Sequence, residues 1–240
     1  MGPVLIVKTG TTVPAVRARR ADFESWISSA MGLSPRQTTV CSVYEGEALP
    51  SPRQVAAAVV TGSSAMVTDA DPWSEQTAAW LRSAVQGGLS VLGICYGHQL
   101  LAHAFGGRVE NNPAGRQIGT LDVTLTDAAE HDPLFSGFPR VLHLPVSHRQ
   151  SVTRLPADAT LLATAVGDPH HAFALGDHAW GVQFHPEFDA DIVRGYIDAR
   201  SDQLAAEGLD AAKLQRSATD TPHGSLLLRR FAQLLRQRET

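Results

Sequence analysis

The sequence is poor in cysteine. Of 240 residues only Cys41 and Cys95 are cysteines, and one possible pair makes no persuasive disulfide framework. A reducing cytoplasm is the expected setting, in which Cys95 stays a thiol. Long apolar runs are absent too: no stretch approaches the ~20 residues that span a bilayer. Met1 to Lys8 lacks the charged and apolar regions of a signal peptide. Basic charge is scarce, with a net charge of -4 and a pI near 6.2, so no footprint for nucleic acid exists. Arg17-Ala18-Arg19-Arg20 reads as the solvated face of a helix. Metal-binding spacings such as H-E-x-x-H and C-x-x-C do not occur. His98 and His103 are five apart, not the four of one helix face, and His170-His171 reads as exposed loop beside Gly167-Asp168-Pro169. Neither a metal nor any other cofactor is expected. No internal repeat and no low-complexity tract appear.

What remains is ordinary globular material, 43% apolar and 18% charged, sized for one large α/β domain over residues 1–240. Its core is expected at about 4–190, with C-terminal helices at about 191–238. Val4-Leu5-Ile6-Val7 reads as a first central strand, Pro14 to Ala30 as helix, Thr38 to Tyr44 as strand with Cys41 packed inside it. Val55 to Val60 is a third strand, ending at Thr61-Gly62-Ser63-Ser64, and Ser74 to Val85 a helix. Strand and helix alternate this far, which argues a doubly wound, mostly parallel sheet with its strand ends on one edge. After Gly107 the texture turns β-rich: Ile118 to Thr126, Val141 to Val146 and parts of Leu161 to Phe184 alternate apolar with polar. Helix returns at Asp191 to Ala206 and at about Ser225 to Arg238. In the last of these, Leu227, Phe231 and Leu234 form a core stripe, with Arg229, Arg230 and Arg236 on the wet face.

The chemistry gathers at Leu89 to Gly107. An apolar strand breaks at Gly93-Ile94-Cys95-Tyr96-Gly97, and a helix (Leu100, Leu101, Ala104, Phe105) follows. G-x-C-x-G at such a junction is the cysteine form of a nucleophile elbow: the glycines permit a strained turn that holds the sulfur above the sheet. A helix N-terminus aimed at the sulfur favours thiolate. The plainer alternative is a buried structural cysteine beside turn glycines. A second constellation, Trp180 to Phe188, weighs against it. There a strand delivers His185 at its end, Pro186 leaves the sheet, and Glu187 lies beside His185 in extended geometry. Cys95, His185 and Glu187 thus fill the roles of nucleophile, base and orienter. The backbone N–H groups of Tyr96 and Gly62 are candidate oxyanion donors, although Gly62 reads equally well as a tight turn.

Gly93-Ile94-Cys95-Tyr96-Gly97-His98-Gln99 with Phe184-His185-Pro186-Glu187-Phe188 resembles the class I, triad-type glutamine amidotransferases. The likeness includes the glutaminase domains of GMP synthetases, and Thr61-Gly62-Ser63 and Ser147-His148 extend it over nearly the whole chain. The resemblance implies a flavodoxin-like sheet and a Cys95, His185 and Glu187 triad. It also implies an oxyanion hole at Gly62 and Tyr96, and glutamine held by Gln99, Ser147 and His148. Gln117 stands where many relatives have Glu. The activity so implied is release of glutamate and ammonia through a Cys95 thioester. A γ-glutamyl peptidase with the same acyl-enzyme is the alternative, and a non-catalytic module of the same fold a weaker one. No phosphate loop or acceptor-activating loop occurs, so the chain is expected to serve a synthase partner or to act alone.

Overall fold

Val4 to Val7 are buried without exception because successive side chains feed two different cores. Val4 and Ile6 join one cluster with Phe23, Ile27 and Phe231; Leu5 and Val7 join another with Leu81, Leu100 and Leu101. The computed structural model describes residues 2–238, so Met1, Glu239 and Thr240 of the expected range lie outside the described residues. The first half holds β1 (Val4–Lys8), α1 (Pro14–Arg20), α2 (Phe23–Met31), β2 (Thr38–Ser42), β3 (Ala57–Val60), α3 (Pro72–Gln86), β4 (Ser90–Ile94) and α4 (Tyr96–Ala104). The second half holds β5 (Arg108–Asn111), β6 (Gln117–Leu125), β7 (Val141–His148), β8 (Gln150–Arg154), β9 (Ala159–Ala165), β10 (Asp168–Leu175) and β11 (Ala179–Val182). It closes with α5 (Ala190–Asp198), α6 (Ser201–Ala206), α7 (Ala211–Ser217) and α8 (Pro222–Gln237).

One sheet of nine strands runs in the order β2-β1-β3-β4-β11-β10-β9-β6-β7. Strands β2, β1, β3, β4 and β11 pair in parallel, and the remaining pairs are antiparallel. The doubly wound half with its β-rich addition is therefore as the sequence predicts. Helices α2, α5 and α8 cover one face and α3 and α4 the other. No helix among the described residues is long and apolar enough to cross a membrane.

Four features depart from expectation. The predicted helix Pro14–Ala30 is two, broken where Ala21 adopts a φ of 63°. Asp22 causes the break: its side chain caps α2 by accepting from Phe23 N (2.9 Å) and also accepts from Thr12 N (2.9 Å). Asp191 to Ala206 is likewise two helices, parted at Ala199-Arg200. The strands β5 and β8 form a separate two-stranded ladder that the sequence pattern did not reveal. On α8, Arg230 is half-buried rather than wet, donating to Leu134 O and Ser136 O over the Phe138 ring.

Lys8, at the end of β1, is buried and paired with Asp22 (3.0 Å) and Glu24 (2.8 Å). Burial opposes its charge, but the two carboxylates outweigh burial and raise its pKa. A Lys8→Met variant leaves Asp22 with only the longer ion pair to the exposed Arg17 (3.4 Å), and breaking a buried pair costs about 3 kcal/mol. Urea unfolding should show that loss; a midpoint unchanged from wild type would contradict it.

Candidate active site

Between β4 and α4 a single residue, Cys95, turns the chain, at φ 52° and ψ -99°. An L-residue held there costs of order 1–3 kcal/mol and persists only when its surroundings over-determine it. They do. A Cβ on Gly93 would lie 2.4 Å from Gly97 O, and one on Gly97 would lie 2.5 Å from Val60 O. Only glycine fits at either position, so strand and helix close to van der Waals contact of their backbones. Cys95 N donates to Val182 O (2.8 Å), tying the turn to β11. The sulfur lies 3.8 Å from Ser147 O.

His185 arrives from the neighbouring strand. Beyond β11, Gln183 N donates to His171 O (2.9 Å) and His185 N to Pro145 O (2.8 Å), so the chain stays pinned after the ladder ends. The His185 Nδ1 lies 2.8 Å from Glu187 Oε1, which leaves Nε2 as the nitrogen open toward Cys95, whose charge also favours the protonated ring. Phe188 stacks on the imidazole at 4.0 Å between centroids and 13° between planes, with Phe23 in a parallel plane at 6.2 Å. Gly62 closes the third side, where an added Cβ would sit 2.8 Å from His185 Cε1 and 3.7 Å from Cys95 Cβ. Burial disfavours charge on this ring, but Glu187 and then Cys95 favour it more strongly, and His185 is pushed up to about 10. At neutral pH the ring therefore carries the proton that a departing amine requires.

The remaining predicted residues divide by which atoms they offer. Tyr96 turns its side chain away, with its hydroxyl 2.6 Å from Ser74 Oγ and its ring stacked on Trp73. Only its backbone N–H, in the orphan first turn of α4, faces the site. Gln99 uses both amide hydrogens inside the protein, on Gln150 O (2.8 Å) and Gln183 Oε1 (3.0 Å). Gln99, Ser147 and His148 do line one cavity of about 350 Å³ with Cys95 and Tyr96. Arg116, Arg149, Gln150 and Arg200 line it too, and the sequence reading missed all four. Gln117 donates to Val166 O (2.6 Å), a bond that an ionised Glu at this position could not make.

His148 sits in a buried polar cluster that corrects one expectation. His170-His171 is not an exposed loop: it belongs to β10, and His171 is fully buried. The Gly167-Asp168-Pro169 turn signal misled because β10 begins at Asp168 itself, with an irregular register against β9. His148, Asp168 and His171 offer ligand atoms all within 4.8 Å of one another, the one such group among the described residues. His148 donates from Nδ1 to Gln150 O (2.9 Å), and its Nε2 lies 3.8 Å from Asp168 Oδ2. Burial pushes His148 down to about 4, His98 to about 3 and His171 well below its ordinary value, so all three are neutral. Burial pushes Asp168 up to about 7, and at 3.8 Å its Oδ2 and His148 Nε2 are both left without a hydrogen-bond partner.

Because Glu187 is what most favours the His185 proton, Glu187→Gln should lower the His185 pKa. The alkaline limb of a kcat/KM profile for glutamine should then move from near pH 10 toward neutrality. An alkaline limb that stays in place in the variant would refute this.

The sequence pattern of the family described as Glutamine amidotransferase class-I matches residues 49–192. A GMP synthase [glutamine-hydrolyzing] of Porphyromonas gingivalis is 31% identical over 203 residues, 82% of this chain and 37% of that protein. One from Aeropyrum pernix is 37% identical over 142 residues, 59% of this chain and 25% of that protein. The chain thus spans well under half the length of these synthases. Gamma-glutamyl peptidase 5 of Arabidopsis thaliana is 32% identical over 142 residues, 58% of this chain and 57% of that protein. A crystal structure of a glutamine amidotransferase from Methylobacillus flagellatus superposes with a TM-score of 0.76 at 22% identity, covering 99% of this chain and 94% of that one. One from Thermotoga maritima gives 0.74 at 22%, covering 99% and 98%. Sheet, elbow and family pattern agree, and the chain belongs to the class I glutamine amidotransferases.

Proposed function

We propose that residues 1–240 act as one amidotransferase domain that hydrolyses the γ-amide of glutamine through a γ-glutamyl thioester on Cys95. The observation that carries this reading is the Cys95, His185 and Glu187 constellation, with the nucleophile in a strained elbow and its base just beyond the end of the adjacent strand. The Cys95 sulfur attacks the amide carbon. The oxyanion forms against the N–H groups of Gly62 and Tyr96, neither of which has another acceptor among the described residues. The C–N bond breaks, ammonia takes the His185 proton, and the thioester remains. Water then attacks that carbonyl, His185 takes its proton, and glutamate leaves as the sulfur is freed. Glu187 holds the imidazole by its Nδ1 throughout. Gln99, Ser147 and His148 form the wall against which the glutamyl group lies. Ammonia passes to an acceptor synthase, as the names of the synthase relatives suggest, in a reducing compartment that suits two free thiols.

Two variants and a label test this. Cys95→Ala should lose glutamine turnover by several orders of magnitude with the fold intact, whereas Cys41→Ala keeps most of it. Burial and then the Glu47 charge push the Cys41 thiol up, so a glutamine-like diazo-ketone should label Cys95 and spare Cys41. Wild-type turnover in purified Cys95→Ala, or mass mapping that puts the label on Cys41, would sink the mechanism.

A further inference from the structure

The Cys95–His185 pair is approached from two sides. The 350 Å³ cavity reaches the sulfur and holds Gln99, Ser147 and His148. A second cavity, of about 240 Å³, reaches the imidazole instead, between Thr12, Pro14, Phe23, Ser63 and Tyr196. Arg200 stands in the wall of both.

In the thioester reading, on which this inference rests, His185 protonates the departing nitrogen. Whatever that nitrogen carries must therefore occupy the imidazole side. Ammonia is close to water in size and needs only about 30 Å³, far less than the 240 Å³ present. A pocket of that size admits a leaving group larger than ammonia.

Arg200 supplies the chemistry of the occupant. Arg17, Arg19, Arg20 and Arg116 each hold a carboxylate. Arg200 holds none among the described residues, and its contacts are the Tyr196 carbonyl (3.5 Å) and the Tyr196 ring (4.7 Å). Burial presses its guanidinium down from its ordinary value, outweighing the opposing pull of Tyr196 and Cys95, so the cation is only partly compensated. The Tyr196 hydroxyl accepts from Thr12 Oγ1 (2.9 Å), so its own hydrogen is free to donate into the same space. A guanidinium and a phenol facing a leaving-group pocket match a carboxylate.

We propose that this cavity is a leaving-group subsite in which Arg200 selects γ-glutamyl amides whose amine bears a free carboxylate, that is, γ-glutamyl amino acids. The chemistry is unchanged and balanced: the Cys95 S–C bond forms, the C–N bond to the amino acid breaks, and its nitrogen leaves with the His185 proton. Water then releases glutamate.

γ-Glutamylglycine and γ-glutamylethylamide test the idea, because they share the scissile amide and differ in the carboxylate. The purified chain should cleave γ-glutamylglycine with kcat/KM at least about tenfold higher, the value of a hydrogen bond to a charged group. Arg200→Ala should abolish that preference and Arg200→Lys should restore part of it. Equal rates for the two compounds in wild type, or a preference that survives Arg200→Ala, overturn the proposal. So does an equal loss for both compounds in Arg200→Ala, which would place Arg200 on the glutamyl carboxylate that they share.

Calorimetry on Cys95→Ala supplies an arm that needs no turnover. The same preference in Kd, lost in Cys95→Ala/Arg200→Ala, supports the subsite even if the wild-type chain cleaves neither compound, a result that would defeat the thioester reading alone. Glutamine cleavage with no preference in either arm defeats the subsite and leaves the thioester reading standing.

Discussion

Backbone packed on backbone at the elbow is the constraint on which the site depends. Gly97 lies against the Val60 carbonyl and Gly93 against Gly97, so β3, β4 and α4 meet without a side chain between them. That closeness forces Cys95 into its positive φ and aims the sulfur out of the sheet. The strain is sustained by strands buried along their whole length and by the bond from Cys95 N to Val182 O. Any residue that pushed the helix away would relax the turn and lower the sulfur into the core.

The same neighbourhood holds imidazoles in opposite states, and one carboxylate decides between them. His98, His148 and His171 are buried without a compensating anion and are neutral. His185 is as deeply buried, yet Glu187 at 2.8 Å keeps it charged. Its charge in turn weighs against a second one on His148. The interior thus isolates a single ionised imidazole at the sulfur and surrounds it with groups that cannot compete for its proton.

Local sequence revealed the parts whose cause is local. Val4 to Val7 and Val91 to Ile94 read as central strands because both faces are covered, which turns alternation into an unbroken apolar run. The elbow was legible because only glycine tolerates its contacts, and His185 with Glu187 because the strand pattern and Pro186 marked where the chain leaves the sheet, although β11 itself ends at Val182. The helix breaks at Ala21 and at Ala199-Arg200 were hidden, since neither has glycine or proline. The first is imposed by Asp22 reaching Lys8 and Thr12, a tertiary cause. Arg116, Arg149 and Arg200 were hidden for a related reason: they stand before β6, between β7 and β8 and between α5 and α6, and only folding brings them to one wall. His171 was misread because a turn-like triplet opened a strand.

Cys95 and His185 follow the adjacent parallel strands β4 and β11, paired in the register Ile94 with Val182. A slip of one residue would carry His185 about 3.3 Å along the strand and rotate it to the opposite face. The spacing of the reacting pair is therefore a lattice constant of the sheet, indifferent to the surface loops. Apart from Gln99 on α4, the residues proposed to contact substrate hang from the antiparallel addition and the helical tail, where geometry is not quantised by strand pairing. In such an architecture the reaction coordinate is rigid and heritable as a unit, while the choice of what is cleaved can drift at the periphery without detuning the bond that is made.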